Sequence, residues 1–397
     1  DNLFEIVVYR FMQGIFASPM VPISQSFVFD AFPTERRGRA MSWWSLGVMM
    51  GITIGPVLGG YVTEFHSWRW VFYINIPIGI LSFALIFIFA PKRRSRPATE
   101  PFGLVGFLIL AVGLVSMQIV LSRGERMDWF SSSQIIVAAA MTAAFLYVYI
   151  VHTAVSPRPF IPPVVFKDRN FSIGMMLMLM LGAHWLAFIA LTSPYLQTLA
   201  GYSVVTAGLV LAPQGLAYAV GSFIAGRLLD RFQSVPIMIL GIIAVAWAYW
   251  QLSNFTPAFD RSAFYVIIIV HGLGLGLYFV PLTIATFSTL PRQYTDIGTG
   301  LYSLMRNFGS SIGVSLAVAY VIRMTQANHA ILSEHVSPFN EALRHRPLPE
   351  AWSMIDPSGL AAINTEVTRQ AAAMAYGDDF RWLAVAILAL IPLILLV

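Results

Sequence analysis

The sequence predicts an all-α polytopic membrane protein. Of its 397 residues, 57% are hydrophobic and 11% are charged, against roughly 25% charged in a typical soluble domain. Mean hydropathy is +0.73. Apolar stretches near the ~20 residues that a bilayer-crossing helix needs occur eleven times. The alternating pattern of a membrane β-barrel is absent.

In chain order the stretches are Leu3–Phe29, Trp43–Val62, Val71–Ala90, Phe102–Leu121, Ile135–Val151, Ile173–Pro194, Ala207–Leu228, Val235–Leu252, Tyr265–Thr286, Gly300–Val321 and Leu383–Val397. The last is short and is expected to be cut off by the chain end. Composition excludes a cytosolic enzyme, a disordered chain and a nucleic-acid binder. With no Cys, disulfide scaffolds, thiolate metal sites and Cys nucleophiles are excluded too.

Orientation follows from Lys and Arg placement. One set of alternate loops holds thirteen: Arg36, Arg37, Arg39, Lys92, Arg93, Arg94, Arg96, Arg158, Lys167, Arg169, Arg227, Arg231 and Arg292. The opposite short loops hold four: Arg69, Arg123, Arg126 and Arg261. The first set is expected to be cytoplasmic, so the chain starts outside and ends inside. An odd span count beginning with Asp1 predicts an odd number of missing helices at the front. Residues 154–170 read as a Pro-rich cytoplasmic connector with Pro157, Pro159, Pro162 and Pro163. Residues 324–379 read as a long extracytoplasmic loop. Within it, Leu360, Ile363, Val367 and Met374 give Gly359–Met374 an apolar helical face. That segment is either a lid on the bundle mouth or a docking surface.

Charges inside apolar spans are costly and mark functional candidates. Arg10 and Arg306 are two, and a guanidinium keeps its proton in proteins. Arg10 has no evident acidic partner in the sequence, so a partner on a preceding helix is expected. Arg306 shares a helix face with Tyr302 and Gly309. It reads either as a polar spot in a transport path or as a side chain snorkelling to the cytoplasmic edge. His184 and His271 also fall in spans, as packing residues or as proton-exchanging groups. Acidic pairs, Ser/His/Asp sets, metal-spaced clusters and phosphate-binding Gly loops are absent from the spans. No enzyme chemistry and no cofactor are indicated.

The second span carries Gly51, Gly55, Gly59 and Gly60, with Pro56 after Gly55. Glycine at every fourth residue makes a groove in which another helix packs closely. This Gly51–Gly60 pattern resembles the antiporter motif of drug:proton antiporters in the major facilitator superfamily. Arg10, Gln13 and Gly14 resemble the RxxQG motif one helix earlier. Trp68, Arg69, Trp70, Asn75 and Pro77 fit the signature after the antiporter helix. Gly226–Arg231, with Asp230 and Arg231, resembles the second-half copy of the GxLxDR loop. Gly298–Gly313, with Arg306, resembles the penultimate helix of the fourteen-helix DHA2 (EmrB/QacA) branch. The long loop before the last helix, with Ser337–Asn340, looks like that of permeases in tripartite pumps.

The resemblance covers nearly the whole chain and implies a major facilitator fold. Residues 1–90 would be the rest of an N-terminal bundle, 91–153 two linker helices, 154–170 a connector and 171–397 a C-terminal six-helix bundle. The implied function is proton-driven export of lipophilic or amphipathic drugs. Trp185, Tyr195 and Tyr278 are candidate pocket aromatics. By the same resemblance the chain sits in the inner membrane of a Gram-negative bacterium. Its partners would be a periplasmic adaptor and an outer-membrane channel. Two alternatives stay open: a same-fold exporter of one metabolite, lipid or siderophore, and a non-transporting scaffold.

Overall fold

The computed structural model describes residues 3–89, 103–157, 159–255, 261–337, 339–340, 352–353 and 356–397. Lys92, Arg93, Arg94, Arg96, Arg158 and Pro338, used in the readings above, lie outside the described residues.

The first span is two helices, α1 (Leu3–Ala17) and α2 (Met20–Ala31), broken at Ser18 and Pro19. Proline has no N–H to continue the ladder, and its ring bends the chain. α3 (Arg37–Phe65) follows a 3₁₀ turn. α4 (Trp70–Tyr73) and α5 (Asn75–Phe89) form the third span, where the Asn75 amide donates to the Val71 carbonyl at 3.1 Å. α6 (Leu104–Arg123) and α7 (Ser133–Val155) pack as a hairpin, with the Leu146 side chain seated over Gly113.

The remaining helices form a well-packed bundle: α8 (Arg169–Pro194), α9 (Val204–Leu228), α10 (Ser234–Leu252), α11 (Arg261–Thr286), α12 (Thr295–Glu334), α13 (Pro357–Leu388) and the short α14 (Ile391–Ile394). Asp168 caps α8 by accepting from the Phe171 N–H at 2.8 Å, as N-cap carboxylates do. α11 packs on α9 and α10, and α12 on α8 and α13. Small residues let these backbones meet. The space for a Cβ at Gly182 is filled by the Arg306 carbonyl, and those at Gly309 and Gly313 by the Leu179 and Ala183 carbonyls.

Nine helical stretches among the described residues are long and apolar enough to cross a membrane. The predicted span Trp43–Val62 falls within α3. The predicted span Leu383–Val397 is divided between the end of α13 and α14.

Two expectations need correction. Residues 324–334 and 357–379 are helical, not a loop. α12 runs unbroken for 40 residues, ~60 Å at ~1.5 Å per residue, about twice the hydrocarbon thickness. No Gly or Pro interrupts residues 314–334. α13 starts with Pro357 in its first turn, where a missing N–H costs nothing. The two extensions pair into a stalk. The Asn328 amide donates to the Ala371 carbonyl at 3.4 Å, and His329 Nε2 lies 2.9 Å from Asn364 Oδ1. Ile363 is buried in this stalk, while Leu360 and Met374 stay exposed.

The second correction concerns Gly51, Gly55 and Gly59. Among the described residues no atom approaches their Cβ positions within 4 Å, and of that motif's glycines only Gly60 meets a neighbour, Val205 at 3.6 Å. Helix geometry explains this. α3 touches α9 through positions 38, 42, 45 and 49. At about 100° per residue, Gly51 to Gly59 fall roughly 200–280° round from Met49, while Gly60 returns to the contacting face after three turns. α9 is therefore met by Gly38 and Ser42, with the Ser42 hydroxyl donating to the Ser222 carbonyl at 2.7 Å.

Candidate functional site

At the arginine-rich end, α3 and the α9–α10 turn are joined by an ion pair. Arg39 Nε and Nη2 both donate to Asp230 Oδ2, at 2.8 and 2.5 Å. Arg37 Nη2 donates to the Phe29 carbonyl at 2.9 Å. Burial lowers the pKa of this Arg37 guanidinium, and nearby Arg292 lowers it further. The Ser26 hydroxyl donates to Asp296 Oδ1. Three contacts thus close this end, two of them across a long sequence separation. Arg231 is exposed beside them.

At the middle of the molecule, Arg306 lies eleven residues into α12. That is ~17 Å from the helix start at ~1.5 Å per residue. Its guanidinium is within electrostatic reach of the Tyr218 and Tyr302 hydroxyls. Among the described residues no carboxylate pairs with it. Tyr218 stacks on Trp185, with ring centroids 6.2 Å apart and planes at 14°.

These two rings line a cavity of about 360 Å³ between α3, α8, α9 and α11. Met49 closes one side, and Gln214 and Ser193 supply polar atoms. Of the three predicted pocket aromatics, Trp185 lines this cavity. Tyr278 is buried within the bundle and donates to the Leu177 carbonyl at 3.3 Å. Tyr195 packs edge-on against Tyr376 at the other end, with centroids 5.5 Å apart. Both rings are spent on packing.

Arg10 donates to Gln13 Oε1 at 2.9 Å. Its guanidinium sits 4.4 Å above the Phe72 ring, a cation–π contact. Two sequence motifs therefore meet, since Phe72 belongs to the Trp68–Pro77 signature. Arg10 remains exposed instead of being enclosed in the bundle interior, and nothing among the described residues approaches the Cβ position of Gly14 within 4 Å. Arg69 lies 5.0 Å from the Trp68 ring, and Trp70 and Tyr73 meet edge-on at 6.0 Å. Signature aromatics thus gather at one end of the span, where amphipathic rings favour the membrane–water interface.

Arg39, Gln214 and Tyr218 were missed from sequence. Gln214 carried a usable signal, as a polar residue inside an apolar span. Arg39 had none beyond its place in a basic loop, because its partner lies 191 residues away.

Membrane-length helices, a central cavity beside an intramembrane cation and a latched end make up a polytopic carrier. The chain belongs to the Major Facilitator Superfamily, whose sequence profile matches residues 1–314. It is similar to the multidrug export protein EmrB of Escherichia coli strain K12, at 30% identity over 389 residues, 98% of this chain and 76% of the relative. It is 28% identical to the fatty acid resistance protein FarB of Neisseria gonorrhoeae over 394 residues, 99% of this chain and 78% of that one. It is also 28% identical to multidrug resistance protein 3 of Bacillus subtilis over 313 residues, 79% of this chain and 61% of the relative. The chain is a membrane transporter of the DHA2 drug-efflux branch.

Proposed function

We propose that this transporter exports lipophilic or amphipathic drugs across the inner membrane of a Gram-negative bacterium in exchange for protons. The carrying observation is the central cavity with Trp185 and Tyr218 stacked on its wall and Arg306 beside Tyr218. Aromatic faces with a few polar groups suit lipophilic ligands. The names of the relatives support the same substrate class. Residues 1–90 and 171–397 would act as two bodies that rock about this cavity, with 91–153 as linker helices between them. The Arg39–Asp230 pair would hold the cytoplasmic end shut in the state seen here. Inward proton movement supplies about 2.3 kcal/mol per charge per 100 mV.

Arg10 would tune a carboxyl brought close during the cycle, since a nearby cation favours the ionised form. The α12–α13 stalk would meet a periplasmic adaptor that leads to an outer-membrane channel. The test is substrate efflux from reconstituted vesicles with and without an imposed pH gradient. Gradient-stimulated efflux supports the reading, and gradient-independent efflux overturns the coupling.

A second reading has its own support. An unpaired cation beside the cavity suits a carboxylate headgroup, and one relative is named for fatty acid resistance. A lipid or fatty acid exporter would then be favoured, and competition between oleate and a lipophilic cation separates the two.

A further inference from the structure

The C-terminal bundle encloses a polar cluster that the mechanism above does not use. His184 of α8, Tyr249 of α10, His271 of α11 and Asp379 of α13 are all buried, Asp379 to 4% exposure. The Tyr249 hydroxyl donates to the His184 carbonyl at 2.7 Å. The His271 ring stacks on Phe188 at 3.8 Å and meets the Tyr249 ring edge-on at 5.3 Å. Tyr249 interacts electrostatically with Asp379, and His271 with His184. Three polar atoms in this group have no hydrogen-bond partner among the described residues: His184 Nδ1, His271 Nε2 and Asp379 Oδ2. Such vacancies are costly in an apolar bundle. Each calls for a chemical role or for a bound water or ion.

The cluster has two ends. At one, Gly377 and Asp378, next to Asp379, line a cavity of about 690 Å³ at the stalk end, together with Ser253 and Arg381. A cavity able to hold water therefore reaches within one residue of Asp379. At the other, His271 Nδ1 lies 3.0 Å from Gln214 Nε2, and Gln214 lines the central cavity. An amide nitrogen only donates, so His271 Nδ1 accepts in this arrangement.

We infer that Asp379 and His271 form a second proton-exchange site, filled from the extracytoplasmic side and read by the drug cavity through Gln214. A proton bound at Asp379 Oδ2 and then held on His271 leaves the pair neutral overall, as carboxylate and imidazolium. With Nδ1 protonated, His271 becomes a donor and Gln214 Nε2 no longer fits. The Gln214 amide turns over, puts its carbonyl on the imidazolium and aims its NH₂ into the cavity. Proton occupancy thereby changes the hydrogen bonding offered to substrate. The titratable groups facing Asp379 are Tyr376 and Asp378 on its own helix, Tyr249 on α10 and Tyr320 on α12. Those facing His271 are His184 and Tyr249. Among the described residues no Lys or Arg pairs with Asp379, so no fixed cation locks the carboxylate.

The inference rests on proton-coupled export, and its test keeps the two separable. The carrier is studied in its full length, with tetraphenylphosphonium as the transported probe. Infrared pH titration of the purified carrier reads the protonated-carboxyl band directly, independent of transport. Asp379→Asn, a near-isosteric change, should delete one titrating band, and Asp379→Glu should restore it. In vesicles, the ratio of gradient-driven to downhill transport should fall about tenfold in Asp379→Asn and in His271→Gln, within the usual range of coupling effects. Recovery of that ratio in Asp379→Glu marks a chemical and not merely a structural role. An unchanged infrared titration in Asp379→Asn, or an unchanged transport ratio beside a coupled wild type, overturns the inference. A wild type without gradient-driven transport overturns export coupling instead, while the infrared result still decides the site.

Discussion

Arg39 grips Asp230 with two nitrogens, the shorter contact at 2.5 Å, although 191 residues separate them. The pair ties α3 to the α9–α10 turn. It is therefore a contact that must break if the two bodies part at that end.

Breaking it should shift the conformational balance. The Arg39 side chain is 64% exposed, so the pair is worth at most about 1 kcal/mol, a factor of about five in the closed-to-open ratio. The absence of Cys makes site-directed labelling clean. Nitroxides at Glu35 and Phe232 should show a longer-distance population rising in Arg39→Ala and in Asp230→Asn. Exchanging the two residues should restore the closed distance. Identical distance distributions in all four proteins would remove the latch from the account.

Arg306 should matter for transport far more than for folding. It has no carboxylate partner among the described residues, so its removal leaves no orphaned counter-charge. Arg306→Met should insert and purify normally, with its melting temperature unchanged or raised, and lose at least about tenfold in transport, as loss of one charged contact of ~1.4 kcal/mol would. Arg306→Lys should recover only part, because a point charge replaces a planar fork. Wild-type transport by Arg306→Met would place the side chain outside the path.

The glycines divide into two classes by stability. Gly309→Leu forces a side chain into the space held by the Leu179 carbonyl. It should cost about 3 kcal/mol or more, at the upper end of overpacking effects. The Cβ positions of Gly51 and Gly55 meet nothing within 4 Å among the described residues, so Gly51→Leu and Gly55→Leu should change thermal stability little. Thermal unfolding of the purified variants reads this ranking, and a reversed order would contradict the packing described here.

In the stalk, Leu360 and Met374 are 48% and 50% exposed, whereas Ile363 is buried. If this surface meets an adaptor, Leu360→Ser with Met374→Ser should abolish adaptor co-purification while the melting temperature holds. Ile363→Ala should lower stability by about 2–5 kcal/mol, as for other buried large-to-small changes. Intact capture by the double variant would leave the exposed face without that role.

The parts legible in the sequence were those set by local pattern. Apolar runs gave the spans, but the break at Pro19 and the helix start at Pro357 were not read from them. The Glu366–Arg369 fork, at 2.6–2.7 Å, is a local i,i+3 pair that also went unread. That fork holds the Glu366 carboxyl below its ordinary value. Contacts between distant segments were not legible. Asp230 stood out through its GxLxDR-like loop, but Arg39 looks like an ordinary loop charge until the fold brings the two together. The Gly51–Gly59 stripe was read as a seam, but helical phase turns it away from α9. The seam lies instead at Gly182, Gly309 and Gly313, whose spacing alone names no partner. Asp379 was read as the end of a loop because its burial depends on α10 and α12 packing beside it.

The central claim is that drug movement and proton movement are coupled in this carrier. The most direct measurement is lumenal pH in vesicles of the reconstituted carrier, acid inside and loaded with a pH-reporting dye, on addition of tetraphenylphosphonium outside. The account predicts lumenal alkalinisation that saturates with the probe and falls at least about tenfold in Arg306→Met, the loss that one charged contact of ~1.4 kcal/mol implies. Saturable probe uptake into the same vesicles with no change in lumenal pH would contradict it.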